Sequence, residues 1–202
     1  MAFALRTQLL EWRATLATGA ERIGWKIGRG LVDGEEKLEP VLGHLTSATR
    51  LRPGGTYRAE AAGELRVDAE LAIEIGAAAR PVRYGAALEL VDVTRPPDDF
   101  ESIVAGNVWH RAFTLSPLRQ EPRPEVVRAE VRINGEVAGV GEQRVDAIET
   151  ARIASDLLAA VGERLEPGDR IIAGSIVQVP IAQGDDVVAD LAELGEVGVR
   201  VR

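Results

Sequence analysis

The stretch RVDAELAIEI, Arg66–Ile75, decides the fold, because apolar and acidic residues alternate along it with a period of two. The apolar set is Val67, Ala69, Leu71, Ile73 and Ile75, and the acids between them are Asp68, Glu70 and Glu74. This alternation predicts a β-strand with one apolar face and one acidic face. The period alone leaves open whether the acidic face is solvated or holds a ligand.

The composition is that of an ordinary soluble protein. The 202 residues are 46% hydrophobic and 28% charged, and we expect one domain over 1–202, with an N-terminal helix within 1–20 packed on it. A net charge of −8 argues against a nucleic-acid or anionic-membrane partner. The absence of cysteine excludes disulfides, thiolate nucleophiles and zinc–cysteine sites. No signal-peptide pattern and no run of ~18 apolar residues is present, so a cytoplasmic protein is expected.

The periodicity further along the chain predicts many strands and few helices. Long amphipathic helices are predicted at 3–18 and 145–164, and a short helix at 96–106, where prolines and aspartates come first. Asn134-Gly135 joins two alternating runs and predicts a hairpin over 125–141. Other strands are predicted at 22–28, 64–76, 85–93, 108–116, 171–180, 185–194 and 196–202, with loops and short strands over 29–63. Because strands and helices do not alternate regularly, we expect an α+β fold with a large, curled, mostly antiparallel or mixed sheet.

Glu89 is the most unusual acid in the sequence, because it lies inside the apolar strand GAALELVDV, 85–93. A buried carboxylate costs several kcal/mol, roughly, unless it is paired, protonated or bound to a metal. Asp68 and Glu70 stand on one face of the preceding strand, about 7 Å apart along it. With Glu89 they are candidate ligands of a hard cation, and oxygen ligands favour Mg²⁺, Mn²⁺ or Ca²⁺ over zinc. The alternative is an exposed face of surface acids, which is our expectation for Glu74.

Two further stretches contain candidate site residues. In IGWKIG, 23–28, Lys26 either reaches water along its stem or holds an anionic substrate, and the flanking glycines permit close approach of a ligand or another strand. Gly174-Ser175 offers a hydroxyl and a backbone N–H to a carboxylate, or else forms a bulge. His110 in NVWHR is one of only two histidines. The nucleophile-elbow, P-loop and dinucleotide-binding motifs are absent.

Several stretches together resemble the hydratase/decarboxylase branch of the fumarylacetoacetate hydrolase superfamily, typified by 2-oxopent-4-enoate hydratases and 4-oxalocrotonate decarboxylases. The stretches occur in order from about Gly24 to the end: GWKIG, GHL at 43–45, RVDAELAIEI, AALELVDV, NGEVAGVG, LEPGDRIIAGS and VP at 179–180. The resemblance implies the mixed β-sandwich roll of the fumarylacetoacetate hydrolase C-terminal domain, with a few peripheral helices. It also implies Mg²⁺ or Mn²⁺ bound by Asp68, Glu70 and Glu89.

The resemblance further implies a metal-dependent lyase acting on a small 2-hydroxydienoate or 2-oxo acid. Hydration to a 4-hydroxy-2-oxo acid is the first expectation, and decarboxylation of a 4-oxalocrotonate type the second. Lys26 matches the family lysine and would act in catalysis, and residues 173–175 match the substrate turn. The implied substrate-binding residues are Trp25, Asn107, Gly174 and Ser175. A homo-oligomer is expected, or a hetero-complex with a paralogous lyase.

The chain departs from the family pattern chiefly in its proton-transfer residues. Asp68 replaces the usual glutamate and is still a competent oxygen ligand. The Asp pair that commonly follows GHL is absent, since residues 46–49 are Thr, Ser, Ala and Thr. We therefore consider His110 as a substitute base. The remaining alternative is a paralogue that binds a metal and a 2-oxo acid, or partners an active subunit, without catalysis.

Overall fold

The computed structural model describes residues 2–32, 35–59, 63–93, 99–121 and 123–202, with side chains at 29–32 and 35–38 left out. Its helices are α1 (Ala2–Ala17), α2 (Phe100–Ala105) and α3 (Ala147–Ala159). Its strands are β1 (Arg22–Val32), β2 (Glu35–Thr46), β3 (Gly55–Tyr57), β4 (Leu65–Ile75), β5 (Pro81–Asp92), β6 (His110–Leu115), β7 (Val126–Ile133), β8 (Glu136–Arg144), β9 (Arg170–Pro180), β10 (Asp186–Asp190) and β11 (Glu196–Val201). No helix of the described chain is long and apolar enough to cross a membrane.

The described strands form two sheets, which confirms the α+β class and the mixed sheet expected from the sequence. Six strands pair in the order β2-β1-β9-β4-β5-β6, and five pair in the order β3-β11-β10-β7-β8. All pairs in the larger sheet are antiparallel except β1 with β9. The strand of the opening stretch, β4, lies between β9 and β5 and is therefore central.

Both faces of β4 are buried, because the larger sheet is curled. The apolar face of β4 joins the main core, which also contains residues of α1, α3 and the smaller sheet. A separate, smaller apolar cluster fills part of the other face: Ile23, Leu45, Ala72, Ala87, Phe113, Leu115 and Ile172. Asp68, Glu70 and Glu89 are buried as well. The acidic face of the opening stretch is thus not a solvated surface.

Hydrogen bonds link the two outer strands of the larger sheet. The segment after β2 pairs with β6, since Leu51 N–H donates to the Phe113 carbonyl and Phe113 N–H donates to the Thr49 carbonyl. The side chain of Asn107 binds the outer edge of β2 at His44, donating to its carbonyl and accepting from its N–H. These bonds draw the sheet into a closed roll and place residues 107–110 beside β1 and β5.

The structure differs from the sequence expectation most clearly over 29–63. Part of this range forms the long strand β2, which pairs with an extended β1 in an antiparallel hairpin. The pairing supplies order that local periodicity does not signal in a segment rich in Gly, Pro and charge. Helix α2 begins later than predicted, at Phe100 after the N-cap Asp99, and the predicted residues 96–98 lie outside the described residues. The strand expected at 185–194 ends at Asp190, and a short 3-10 turn follows.

Other elements agree with the sequence. Asn134 and Gly135 both have positive φ, 54° and 88°, as a two-residue type I′ turn requires, and they join β7 to β8. Helix α1 buries the stripe that contains Leu5, Leu9 and Trp12. The buried Gln8 amide on the same helix donates to the carbonyls of Leu42 and Val104. These bonds hold α1 against β2 and α2.

Candidate metal and substrate site

Strand pairing brings the three predicted carboxylates together. Asp68 of β4 stands directly opposite Glu89 of β5, and Glu70 lies two residues further along the same face of β4. The exposed fractions of the three residues are 4% for Asp68, 3% for Glu70 and 1% for Glu89. Three carboxyl groups are therefore enclosed within one part of the roll.

Ser175 connects Asp68 and Glu70 to β9. Its hydroxyl donates to Asp68 Oδ1 over 2.5 Å, and its backbone N–H donates to Glu70 Oε1 over 3.3 Å. Gln178 Nε2 also donates to Asp68 Oδ1, over 2.9 Å. The register of β4 with β9 shifts between Ala69 and Leu71, and Ser175 has a positive φ of 40°. The sequence suggested either a bulge at Gly174-Ser175 or a hydroxyl and N–H that bind a carboxylate, and the structure has both at Ser175.

Glu89 occupies the centre of a second set of contacts. Lys26 Nζ donates to Glu89 Oε1 over 2.5 Å and to the Val108 carbonyl over 3.0 Å. His110 Nδ1 lies 2.6 Å from the same carboxylate oxygen, and His110 Nε2 lies 2.9 Å from the Thr49 hydroxyl. Lys26 therefore does not extend to water. Both ring nitrogens of His110 are engaged, as in an arrangement that fixes a histidine for proton transfer.

The electrostatics of the cluster follow from burial and crowding. Burial, with the nearby charge of Glu89, raises the pKa of Asp68. Burial, Glu89 and Asp68 raise the pKa of Glu70 well above its usual value. Burial would also raise the pKa of Glu89, but Lys26 and His110 outweigh it, and the net pKa of Glu89 is lowered. Glu89 is therefore the carboxylate whose negative charge is compensated within the protein, by Lys26.

The carboxylate oxygens of the cluster are donors of the type that a divalent cation binds. If all three acids are ionised, the single positive charge of Lys26 leaves two negative charges of the cluster without a compensating cation. In addition, Glu70 Oε2 is buried and has no hydrogen-bond partner among the described residues. As they stand, no three Asp, Glu or His side chains of the described chain are grouped tightly enough to hold a metal ion. Asp68 and Glu89 are each drawn to other partners. Metal binding therefore requires these side chains to exchange present hydrogen bonds for the ion.

A left-handed turn supports the lysine side of the cluster. Asn107, Val108 and Trp109 have φ of 58°, 53° and 59° in succession, a conformation that costs about 1–2 kcal/mol per non-glycine residue. The turn aims the Val108 carbonyl at Lys26 while the Asn107 amide binds β2. Runs of strained residues are characteristic of functional sites.

Not all predicted site residues meet at the carboxylates. The indole of Trp25 donates to Asp169 and packs against Trp12, because neighbouring residues on a strand point to opposite faces and Lys26 takes the face of the cluster. The side-chain amide of Asn107 is hydrogen-bonded to the backbone N–H and carbonyl of His44. Neither offers a free group to a substrate in this arrangement. Glu74, expected to be solvated, pairs instead with Arg83 and Arg170 at the far end of β4.

Gly174 and Ser175 line a cavity of about 380 Å³. Its other walls come from β1, from Pro40 of β2, from the segment Gln143 to Asp146, and from α3. The cavity shares Ser175 with the carboxylate cluster, although Asp68, Glu70 and Glu89 are not among its lining residues, so it offers space for a small organic molecule next to that serine.

Three contacts of the site were not anticipated from the sequence: Gln178, the Thr49 hydroxyl and the Val108 carbonyl. Gln178 could have been recognised from the sequence, since an amide inside the apolar run IVQVP is as unusual as Glu89 inside its own apolar strand. The contact of the Val108 carbonyl could not have been recognised, because every residue type has a backbone carbonyl. Thr49 stands in the stretch where the family's Asp pair is missing, and only folding shows that it meets His110.

His44 gives a testable pH dependence. Burial, with the nearby charge of His110, lowers the pKa of His44 to about 4, whereas the unfolded residue titrates near 6.5. Between these values the unfolded chain binds more protons, so the free energy of unfolding falls as the pH drops from about 6.5 towards 4, by at most about 3 kcal/mol. Urea unfolding at pH 7 and pH 5 should show a smaller loss for His44→Gln than for the wild type. An equal loss in both would contradict this, since His110 is present in each.

Comparison with known proteins places the fold. No protein-family model matches the sequence, and no curated protein matches it either. The structure resembles 4-oxalocrotonate decarboxylase from Pseudomonas putida G7, complexed with magnesium and adipate, with a TM-score of 0.81 and 24% identity over 98% of this chain and 85% of that one.

More distant structures share the same architecture. Fumarylpyruvate hydrolase from Pseudomonas aeruginosa, in complex with Mn²⁺ and pyruvate, has a TM-score of 0.65 and 16% identity over 90% of this chain and 89% of that one. The 2-hydroxyhepta-2,4-diene-1,7-dioate isomerase from Mycobacterium marinum has a TM-score of 0.61 and 16% identity over 89% and 75%. The chain therefore shares the fold of these structures, a mixed α+β fold of the kind that the resemblance of its ordered motifs implied.

Proposed function

We propose that this chain is a divalent-metal-dependent lyase acting on a small 2-hydroxydienoate or 2-oxo acid, most simply a hydratase that forms a 4-hydroxy-2-oxo acid. One observation carries the proposal: three carboxylates are buried in one cluster, and Lys26 pairs with one of them, Glu89. A cluster with this excess of negative charge would be costly in a protein interior without a cation.

The proposed ligands are Asp68, Glu70 and Glu89, with Mg²⁺ or Mn²⁺ as the ion. Oxygen donors alone suit these hard cations. Glu70 is the most available ligand, because Oε2 has no hydrogen-bond partner among the described residues. Asp68 already accepts two hydrogen bonds on Oδ1, and its other oxygen is the one to bind the ion.

A bound Mg²⁺ or Mn²⁺ supplies Lewis acidity that stabilises negative charge developing on the C2 oxygen of the substrate. Lys26 is proposed to add positive charge beside that oxygen, from a position set by Glu89 and the Val108 carbonyl. Ser175 and Gly174 are proposed to orient the substrate from the wall of the adjoining cavity.

His110 is the proposed proton-transfer residue in place of the missing Asp pair. Its ring lies between the Glu89 carboxylate and the Thr49 hydroxyl. A proton that His110 gives or takes can pass through Thr49, whose side chain is only partly buried. This arrangement orients the imidazole as general acid–base catalysis requires.

A decarboxylase of the 4-oxalocrotonate type is the second candidate. It is favoured by the similarity in fold to 4-oxalocrotonate decarboxylase, with a TM-score of 0.81. That structure contains adipate, which is a dicarboxylate. The same electron sink would serve the loss of CO₂. A paralogue that binds a metal and a 2-oxo acid, or partners an active lyase, without turnover is the remaining alternative.

Two measurements test the proposal. Titration calorimetry should show Mn²⁺ binding to the wild type and to Glu74→Gln, a control on the same strand, and little binding to Glu70→Gln or Asp68→Asn. Absorbance should then follow the loss of a 2-hydroxypenta-2,4-dienoate, and CO₂ release the loss of 4-oxalocrotonate, with Mn²⁺ present. Equal metal binding by all variants would reject the site. Metal binding without turnover of either acid would replace the lyase by the non-catalytic alternative.

A further inference from the structure

The two hydrogen bonds on Asp68 Oδ1 carry an inference that rests on the proposed metal site and deepens it. We propose that Gln178, held in place by Arg66, makes Asp68 a ligand through one oxygen only, and that this arrangement selects Mg²⁺ and Mn²⁺ over Ca²⁺. Gln178 and Arg66 act through Asp68 and do not themselves bind the ion, so both are positioning residues.

Strand pairing places Gln178 on the face of the carboxylates. Gln178 of β9 stands directly opposite Asp68 of β4, and directly opposed residues of an antiparallel pair project from the same face. Ser175 lies three residues before Gln178, and residues three apart on a regular strand point to opposite faces. The register shift of β9 against β4 brings Ser175 back to the face of Asp68. Two donors of one strand therefore meet a single carboxylate.

Both donors use the same oxygen of Asp68. Ser175 Oγ donates to Oδ1 over 2.5 Å, and Gln178 Nε2 donates to it over 2.9 Å. An ionised carboxylate has about four lone-pair sites, about two on each oxygen, so two hydrogen bonds fill Oδ1. Only Oδ2 is then open to an ion, and Asp68 binds that ion with one oxygen rather than two.

Arg66 fixes the orientation of the Gln178 amide. It lies two residues before Asp68, on the same face of β4, and its Nη1 donates to Gln178 Oε1 over 3.2 Å. A guanidinium can only donate, so the amide oxygen faces Arg66 and the amide nitrogen is left facing Asp68. Without Arg66 the amide is free to turn its oxygen towards the carboxylate, and the hydrogen bond to Oδ1 is then lost.

The contacts of Arg66 add little to stability. It pairs with Glu64 at 3.1 Å, but the two side chains are 38% and 56% exposed, and an ion pair this exposed contributes little. Arg66 Nε is buried without a hydrogen-bond partner among the described residues, which is unfavourable. We therefore assign Arg66 to the orientation of Gln178 rather than to the stability of the fold.

A carboxylate restricted to one oxygen disfavours Ca²⁺ more than the smaller ions. Mg²⁺ requires near-octahedral geometry, whereas Ca²⁺ takes about 6–8 oxygens and often binds a carboxylate through both of them. Mn²⁺ also accepts octahedral oxygen ligands. Filling Oδ1 of Asp68 removes an oxygen that Ca²⁺ would use and that an octahedral ion does not need.

Metal titration of Gln178→Met tests the selection, with Gln183→Met, an exposed glutamine after β9, as the matched control. Calorimetry should show a Mn²⁺ affinity about 10-fold below that of the wild type, as expected when a residue that orients a metal ligand is lost. The Ca²⁺ affinity should fall by less than about 3-fold, because a lone pair freed on Oδ1 lets Asp68 bind with both oxygens. Gln183→Met should match the wild type for both ions.

An unchanged ratio of the Mn²⁺ and Ca²⁺ affinities in Gln178→Met would overturn the proposal, because a merely structural role weakens both ions alike or neither. A wild type that binds neither ion would reject the proposed metal site, and the role of Gln178 with it. A wild type that binds Mn²⁺, with the same ratio in Gln178→Met, would reject the role of Gln178 alone.

A double-mutant cycle tests whether Arg66 acts through Gln178. Arg66→Met should lower the Mn²⁺ affinity about 3-fold, the effect of one modest hydrogen bond. Arg66→Lys keeps a donor for Gln178 Oε1 and should stay close to the wild type. Adding Arg66→Met to Gln178→Met should lower the affinity no further. Additive losses would show that Arg66 does not act through Gln178.

Discussion

Glu89→Ala is expected to lower the free energy of unfolding of the metal-free protein by about 3–5 kcal/mol, the cost of removing one partner from a buried ion pair. The substitution leaves the Lys26 ammonium buried with only the Val108 carbonyl as a described partner. It also removes the hydrogen bond to His110 Nδ1. Urea unfolding in the presence of EDTA measures this effect without any contribution from a bound ion.

A double-mutant cycle separates the lost pair from the lost packing. Lys26→Met combined with Glu89→Leu removes both charges together and should cost less than the sum of the two single changes. Glu74→Ala is the control, since Glu74 pairs with arginines at the partly exposed end of the same strand. A loss below about 1 kcal/mol for Glu89→Ala would show that Lys26 is stable in the interior without its carboxylate.

Gly24→Ala is the second large effect, with an expected loss of about 4 kcal/mol or more and little soluble protein. A Cβ atom at position 24 would lie 1.9 Å from the Arg170 carbonyl oxygen and 2.5 Å from its nitrogen. Both are backbone atoms of the parallel partner strand, so neither can rotate away. The φ of Gly24, +149°, is also one that L-residues rarely adopt.

Gly162→Ala isolates the collision from the conformational cost. Gly162 also has a positive φ, 81°, but a Cβ there meets no atom within 4 Å. We expect about 1 kcal/mol of destabilisation for this variant. Thermal unfolding followed by circular dichroism compares the two. Equal melting temperatures would mean that β1 and β9 separate easily enough to admit the methyl group.

Local patterns predicted those parts of the fold in which neighbouring residues decide the conformation. The alternation of Arg66–Ile75 predicted β4, and Asn134-Gly135 predicted a hairpin whose turn has the expected positive φ at both residues. The approach of another strand to the glycines of IGWKIG was also foreseen, and Gly24 meets the backbone of Arg170. Strand β2 was not foreseen, because pairing with β1 rather than its own pattern orders it.

The candidate site divides in the same way. Asp68, Glu70, Glu89 and Lys26 were identifiable because charged residues stand inside apolar strands, and burial of charge is costly wherever the strands pack. The tertiary structure separates Trp25 from them, and gives the Asn107 side chain a backbone partner. It also shows Thr49, Gln178 and the Val108 carbonyl among the contacts of the cluster.

The sequence by itself determined that this protein contains a strand with an acidic face and a neighbouring strand with an acid in an apolar run, since alternation and hydrophobicity are local properties. Only the tertiary structure decided that this acidic face is enclosed, because enclosure depends on the curl of the sheet and on bonds between residues 49–51 and β6. The tertiary structure also decided which of the three acids forms an ion pair with Lys26. Lys26 lies 63 positions from Glu89 along the chain, and the energy of a buried ion pair depends on distance in space.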